Sequence, residues 1–162
     1  MTGKIDYSQV AIMPDQEVAE WWEATKNGVF SVGVCNDCDT KFWPPMPSCR
    51  ECNSLNTGLK AIKGEGVIHS YIVITQPISA HMLEAVPYIF AIVELPDCTN
   101  PEGSITRNTR VHALIMNEEK DVGIGKKVKL IWADHPEQDF KMPQWEVTGD
   151  TDDVWSFSET GF

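Results

Sequence analysis

Cys35-Asn36-Asp37-Cys38 and Cys49-Arg50-Glu51-Cys52 decide how this chain is read: two C-x2-C pairs with ten residues between them. Each pair makes a tight knuckle that aims two sulfurs at one point. Two knuckles supply four soft anionic ligands at the corners of a tetrahedron, the geometry that structural zinc accepts. A site closed by four protein ligands leaves no position for water or substrate. The spacing therefore predicts a structural zinc held by Cys35, Cys38, Cys49 and Cys52, and places any catalysis elsewhere. Iron in a rubredoxin-type electron carrier uses the same pairs, though normally set farther apart than here; disulfides or free thiols are the remaining alternative. Asp39 and Asn53 follow the two knuckles, where a left-handed backbone is wanted. After glycine, Asp and Asn tolerate positive φ best.

Between the knuckles, Phe42-Trp43-Pro44-Pro45-Met46-Pro47 forms a stiff, extended arch carrying two aromatic rings. The rings either shield the metal or grip a partner. Upstream, residues 1–13 read as extended or loose. Pro14-Asp15 opens a helix to about Lys26, with Asn27-Gly28 as its stop. Val18, Trp21, Trp22 and Thr25 share one side of it at helical spacing. Two adjacent tryptophans either pack against the knuckles or present an interface anchor. Trp21, Trp22, Phe42 and Trp43 are thus the candidate partner-binding residues. Val29–Val34 is a short strand entering the first knuckle.

From Gly64 onward the texture changes to strands. In 67–75 the alternation sets Val67, His69, Tyr71 and Val73 on one face and Ile68, Ser70, Ile72 and Ile74 on the other. Further strands are expected over 87–95, within 103–116 (Val111, Ala113 and Ile115 against His112, Leu114 and Met116), over 128–133, and more weakly over 140–147. Five short strands with glycine turns and no interior helix predict a small closed barrel, with the OB-fold as the natural candidate. The fold class is mainly β: an N-terminal extension and helix (1–28), a rubredoxin-like zinc ribbon (29–62), an OB-fold (63–148) and an acidic aromatic tail (149–162).

The chain has 162 residues, 42% of them hydrophobic, enough for one modest domain or two small units. No run of eighteen apolar residues exists to span a membrane, and the first residues lack an apolar signal core. A cytoplasmic location is expected, where thiols stay reduced and paired cysteines signal metal. Cys98, in Pro96-Asp97-Cys98-Thr99-Asn100-Pro101, reads as a spare thiol in a turn, or as a lone nucleophile. The net charge of −11 disfavours nucleic acid. The excess acid lies toward the ends, where Asp150, Asp152, Asp153 and Glu159 interleave with Trp155, Phe157 and Phe162. That tail is either solvated or a docking segment. His69, His81, His112 and His135 are scattered, with no nucleophile elbow, P-loop or dinucleotide fingerprint. No catalytic residue is assigned.

A tryptophan-bearing helix leads to a four-cysteine ribbon enclosing Phe42-Trp43-Pro44-Pro45. Gly64-Glu65-Gly66-Val67-Ile68-His69-Ser70-Tyr71 follows, then Pro87-Tyr88-Ile89-Phe90-Ala91-Ile92-Val93-Glu94-Leu95 and Val122-Gly123-Ile124-Gly125-Lys126-Lys127-Val128. In this order the chain resembles the zinc-ribbon/OB-fold acyl-CoA-associated family, long catalogued as a domain of unknown function. The resemblance covers about residues 15–147. Within that family the narrower resemblance is to the small subunits of benzoylsuccinyl-CoA thiolases. The resemblance implies a non-catalytic subunit in a hetero-oligomer with a thiolase-type enzyme, sharing an acyl-CoA with it in aromatic or fatty acyl-CoA degradation. A hydratase or an aldolase is the alternative partner. Asp39 and Asn53 in place of knuckle glycines, a long 100–110 segment and the acidic tail depart from the family pattern. If this chain touches CoA, Lys41, Arg50, Lys60 and Lys63 near the ribbon are the candidates, or Lys126, Lys127 and Lys129 on the barrel. A single-stranded nucleic-acid binder, the other use of OB-folds and ribbons, has the aromatics but lacks the basic stripe.

Overall fold

The computed structural model describes residues 5–149. The expected tail at 149–162, with its aromatic and acidic residues, lies outside the described residues from position 150 onward.

Asp15 starts the helical segment. Its carboxylate accepts from the backbone N–H groups of Glu17 and Val18, satisfying donors that the first turn leaves open. The regular helix α1 is only Ala19–Lys26. Gly28, at φ +69°, ends it, and the backbone N–H of Val29 returns to the carbonyl of Ala24. Glycine takes that left-handed conformation most readily, having no Cβ.

The ribbon is a three-stranded sheet of β1 (Ser31–Cys35), β2 (Lys41–Phe42) and β3 (Thr57–Ala61) in the order β2-β1-β3. β3 was not anticipated: Thr57-Gly58-Leu59-Lys60-Ala61 has no alternation, and its pairing with β1 supplies the strand. Gly33 lies opposite Phe42 across β1 and β2. A Cβ at Gly33 would meet the Phe42 ring at 2.3 Å, so this position must be glycine for the ring to lie against the sheet.

The remaining strands are β4 (Glu65–Ile74), β5 (Tyr88–Thr99), β6 (Asn108–Ile115), β7 (Lys127–Asp134) and β8 (Lys141–Gly149). They close a barrel in the order β4-β5-β6-β8-β7. β7 returns to pair with β4, and β6 meets β8 in parallel. This is the expected five-stranded OB barrel. Val93, Val111, Ala113, Ile115, Ile89 and Trp145 fill its interior.

Three expectations change. A bulge between Ile68 and Ser70 breaks the register of β4 against β5. One extra residue swaps the faces of a strand with period two. Val67 pairs with Glu94 on the outside, whereas Tyr71 and Val73 pair with the buried Ala91 and Ile89. They therefore do not share a face with Val67. Cys98 is not in a turn: β5 runs on through Thr99, and Cys98 is fully buried in the core. Burial pushes its thiol up to about 11, which disfavours the thiolate that a nucleophile needs. Finally, of the stretch read as extended or loose, the described part, residues 5–13, is tied to the barrel end. The His135 imidazole Nε2 lies 2.7 Å from the Val10 carbonyl. Gln138 both accepts from the N–H of Ile12 and donates to its carbonyl, and Gln144 donates to the Tyr7 hydroxyl.

Candidate metal centre

The two knuckles are built alike. At the first, the N–H of Asp39 donates to the Cys35 carbonyl and that of Cys35 to the Thr40 carbonyl. At the second, Asn53 donates to Cys49, and Cys49 to Ser54. Asp39 and Asn53 take φ values of 58° and 59°, the left-handed positions expected of them. The short side chains of Asp and Asn make this region accessible without glycine.

All four Sγ atoms lie within 4.8 Å of one another. Cys35 and Cys52 sulfurs are 3.7 Å apart, and Cys38 and Cys49 sulfurs 3.6 Å. Four thiolates at Zn–S bonds of about 2.3 Å stand about 3.8 Å from one another in a tetrahedron. The donor set and its spacing therefore fit zinc, with no fifth position left open. Cys35 and Cys49 are buried, Cys38 is half-buried and Cys52 is exposed. The Thr40 hydroxyl, 3.3 Å from the Cys38 sulfur, stabilises that thiolate and brings the thiol down to about 6.

Polar bonds lock one knuckle to the other. The Asp37 carboxylate accepts from the hydroxyl of Ser54 and, at 2.7 Å, from the amide of Asn56. Those bonds, Ser54 foremost, hold its carboxyl below the usual range. The Asn36 backbone N–H donates to the Asn56 carbonyl.

The four aromatic candidates do not form one exposed surface. Phe42 is fully buried against Cys35 and Cys49, so it shields the metal site. Trp21 is also buried, and its indole N–H donates to the Ser31 carbonyl at 2.8 Å. Trp43 is half-buried, stacked on Phe30 at 5.0 Å and 26°. Trp22 is half-buried and meets Phe140 edge-on at 5.6 Å. Phe30 continues the set to Trp145 in the barrel at 6.3 Å. These rings form a seam joining helix, ribbon and barrel, because edge-to-face contacts let bulky flat groups fill a corner where three elements meet.

The four cations near the ribbon converge on one region for a different reason. Lys41 is buried, and its ammonium donates to Asp39 at 2.8 Å and to the Thr99 carbonyl at 3.2 Å. Lys60 donates to the Asp97 carbonyl, and the backbone N–H of Lys63 to the Asp97 carboxylate. Arg50 donates to the Thr106 hydroxyl. All four sit against residues 97–106, the end of β5 and the loop after it. Lys41 is thereby corrected as a free cation for phosphate, because a buried ammonium survives only when paired. On the barrel, Lys127 and Lys129 are exposed, the latter bonded to Glu146 at 2.8 Å.

The sequence marks the 100–110 segment as long but not what its loop, 100–107, does. The Asn100 side chain accepts from the Lys41 N–H at 2.7 Å and donates to the Lys41 and Thr106 carbonyls. The Ile105 N–H donates to Glu51, inside the second knuckle. The loop clamps the ribbon to the barrel. A lone Asn after a strand carries no signal of this in the sequence.

Comparison with known proteins agrees with the two-part architecture. Residues 22–57 match the rubredoxin-like zinc ribbon domain of ChsH2, and residues 59–133 match its C-terminal OB-fold domain. A solved structure titled an Ltp2-ChsH2(DUF35) aldolase is 26% identical, with a TM-score of 0.69 over 85% of this chain and 98% of that one. A DUF35 protein of unknown function from Sulfolobus solfataricus is 18% identical with a TM-score of 0.53, over 82% of this chain and 86% of that one, a likeness of fold. A probable enoyl-CoA hydratase alpha subunit of Thermomonospora curvata is 31% identical over 119 residues, 73% of this chain. The chain spans about a third of that relative's length, 34%. With both modules matched in order and the four sulfurs set for a metal, the chain belongs to the ChsH2-type zinc-ribbon and OB-fold family, DUF35.

Proposed function

We propose that this chain is an accessory subunit which docks on and supports an enzyme acting on CoA thioesters, of thiolase type. One observation carries most of the weight: the chain covers 98% of the matched chain in a structure titled an Ltp2-ChsH2(DUF35) aldolase. A structural metal centre, with Cys98 buried beyond use as a nucleophile, agrees with a supporting role. Any acyl-CoA is shared with the partner. Lys41, Lys60 and Arg50 already hold the joint, and the net charge is −11, so the isolated chain binds CoA weakly. Tight binding by calorimetry without a partner would overturn that.

The deciding experiment is co-purification with the catalytic chain, then thiolysis measured with and without this subunit. Loss of turnover without it supports the reading; full thiolysis by the partner alone defeats it. The names of two relatives, an aldolase assembly and a hydratase subunit, favour a second reading in which the partner is one of those enzymes. Retro-aldol and hydration assays on the same complex separate the two.

A further inference from the structure

The outer face of β4, β5 and β6 carries apolar side chains that nothing described covers. Ile72 is 58% exposed and Phe90 36%. They are direct cross-strand partners, and the exposed His112 ring lies 5.7 Å from Phe90. From 67 to 74, 88 to 95 and 110 to 114 the one carboxylate is Glu94, and Arg110 and Asn108 already bond it.

The chain leaves the barrel at the edge of this face. Gly149 pairs with Lys127, and Lys127 pairs with Val67 of β4. β4 and β8 are each antiparallel to β7, so they run the same way. The direction of β8 at Gly149 is therefore that of β4 from Val67 toward Ile72. At about 3.3 Å per strand residue, Ile72 lies about 17 Å beyond Val67. Trp155, six residues past Gly149, reaches about 20 Å when extended. Trp155 and Phe157 fall on the same side of an extended segment.

The order of chemistry also agrees. Lys127 stands at the exit and Lys126 beside Ile68, where its carbonyl accepts the Ile68 N–H. The apolar pair lies farther along. The tail has Asp150, Asp152 and Asp153 first, and Trp155 and Phe157 after them.

We infer that the Ile72–Phe90 face of the barrel is the docking surface of the chain's own C-terminal segment, residues 150–162. Apolar area is what holds it, with the aspartates setting direction near the exit.

The test is amide NMR on the zinc-loaded full chain, beside a W155S/F157S variant and an Ile72→Ser variant. Ile72 is exposed, so its replacement leaves the buried core intact. Docking predicts shifts at Ile72, Phe90 and His112 in the tail variant, and lost solvent protection of the Trp155 indole N–H in Ile72→Ser. Both effects stay the same on dilution, and a peptide of 150–162 added to a chain ending at Gly149 restores the shifts. Unchanged amides on the face, or an unprotected Trp155 in the wild type, would overturn it. So would shifts that fade on dilution, which assign the face to a second copy.

Discussion

The ribbon and the barrel hold themselves together by opposite means. In the ribbon, residues 31–61, the buried apolar side chains besides the cysteines are Val32 and Phe42. Phe42 packs on two of the sulfurs, so even its burial depends on the cluster. In the barrel, Ile68, Ile89, Val93, Leu95, Val111, Ile115, Val128 and Trp145 make a continuous interior. One unit is closed by four sulfurs at one point, the other by many weak contacts spread through a volume. Damage should therefore be all-or-none in the ribbon and graded in the barrel. The seam between them, with Phe30, Trp43 and Asn100, decides how far damage in one is felt by the other.

Removing the metal gives the largest effect. Structural zinc in such modules contributes about 10–16 kcal/mol of apparent binding free energy, and that energy is folding energy. Cys49→Ala, or chelation, should abolish zinc by elemental analysis and collapse hydrogen-exchange protection across 31–61. The amides of β4, β5 and β6 should stay protected. Unchanged melting on chelation removes the contrast at its root. Loss of protection in both units at once would mean that the seam makes them one cooperative body.

Ile115→Ala should show the graded behaviour. Ile115 is fully buried opposite Ile89 in the barrel, and such truncations cost about 2–5 kcal/mol. Denaturant melts should shift accordingly, while zinc content stays at one per chain. Zinc loss in this variant would show that the ribbon leans on the barrel.

Asn100→Ala probes the joint. It leaves the Lys41 N–H and carbonyl without their side-chain partner, and an orphaned buried group costs about 1–3 kcal/mol. The expected sign of uncoupling is faster exchange at Lys41 and Phe42, with the barrel interior unmoved. No change in ribbon exchange would demote the loop to a passive cover.

Legibility in the sequence follows the same division. The metal site was readable because its information is local. Two residues separate each cysteine pair, and the backbone geometry after each pair constrains Asp39 and Asn53. The barrel was readable from alternation, as at Val111, Ala113 and Ile115. Alternation fails where one residue is inserted, so the bulge at Ile68 moved Tyr71 and Val73 to the inner face unannounced. The joint was not readable at all. Asn100 and Lys41 lie 59 residues apart, and neither carries a pattern that names the other. The aromatic residues were visible as a group, but composition does not tell a buried seam from an exposed grip. Trp21 and Phe42 turned out to be inside. The ties of His135, Gln138 and Gln144 to the N-terminal stretch were equally silent, since single polar residues in a loop or a strand look like surface.

The smallest effect expected is at Glu94, on the barrel wall. Its carboxylate accepts from Arg110 at 3.0 Å and from Asn108 at 2.9 Å. Burial alone raises a carboxyl, but here the hydrogen bonds and the guanidinium outweigh it and hold the folded form below its ordinary 4.5. A depressed folded value means the pair stabilises the fold above the unfolded value and stops doing so as pH falls through the folded one. Glu94→Gln should cost under about 1 kcal/mol at neutral pH, as half-exposed pairs do. The gap between variant and wild type should be full above pH 4.5 and close on further acidification. Cysteine ligands must be deprotonated to hold metal, so the ribbon unravels on the same acid limb for its own reason. Melts are therefore followed by exchange at β5 and β6, where only the barrel is read. A gap that widens toward low pH would show that Glu94 is held up by burial instead, and that the barrel wall is as dependent on one pair as the ribbon is on its sulfurs.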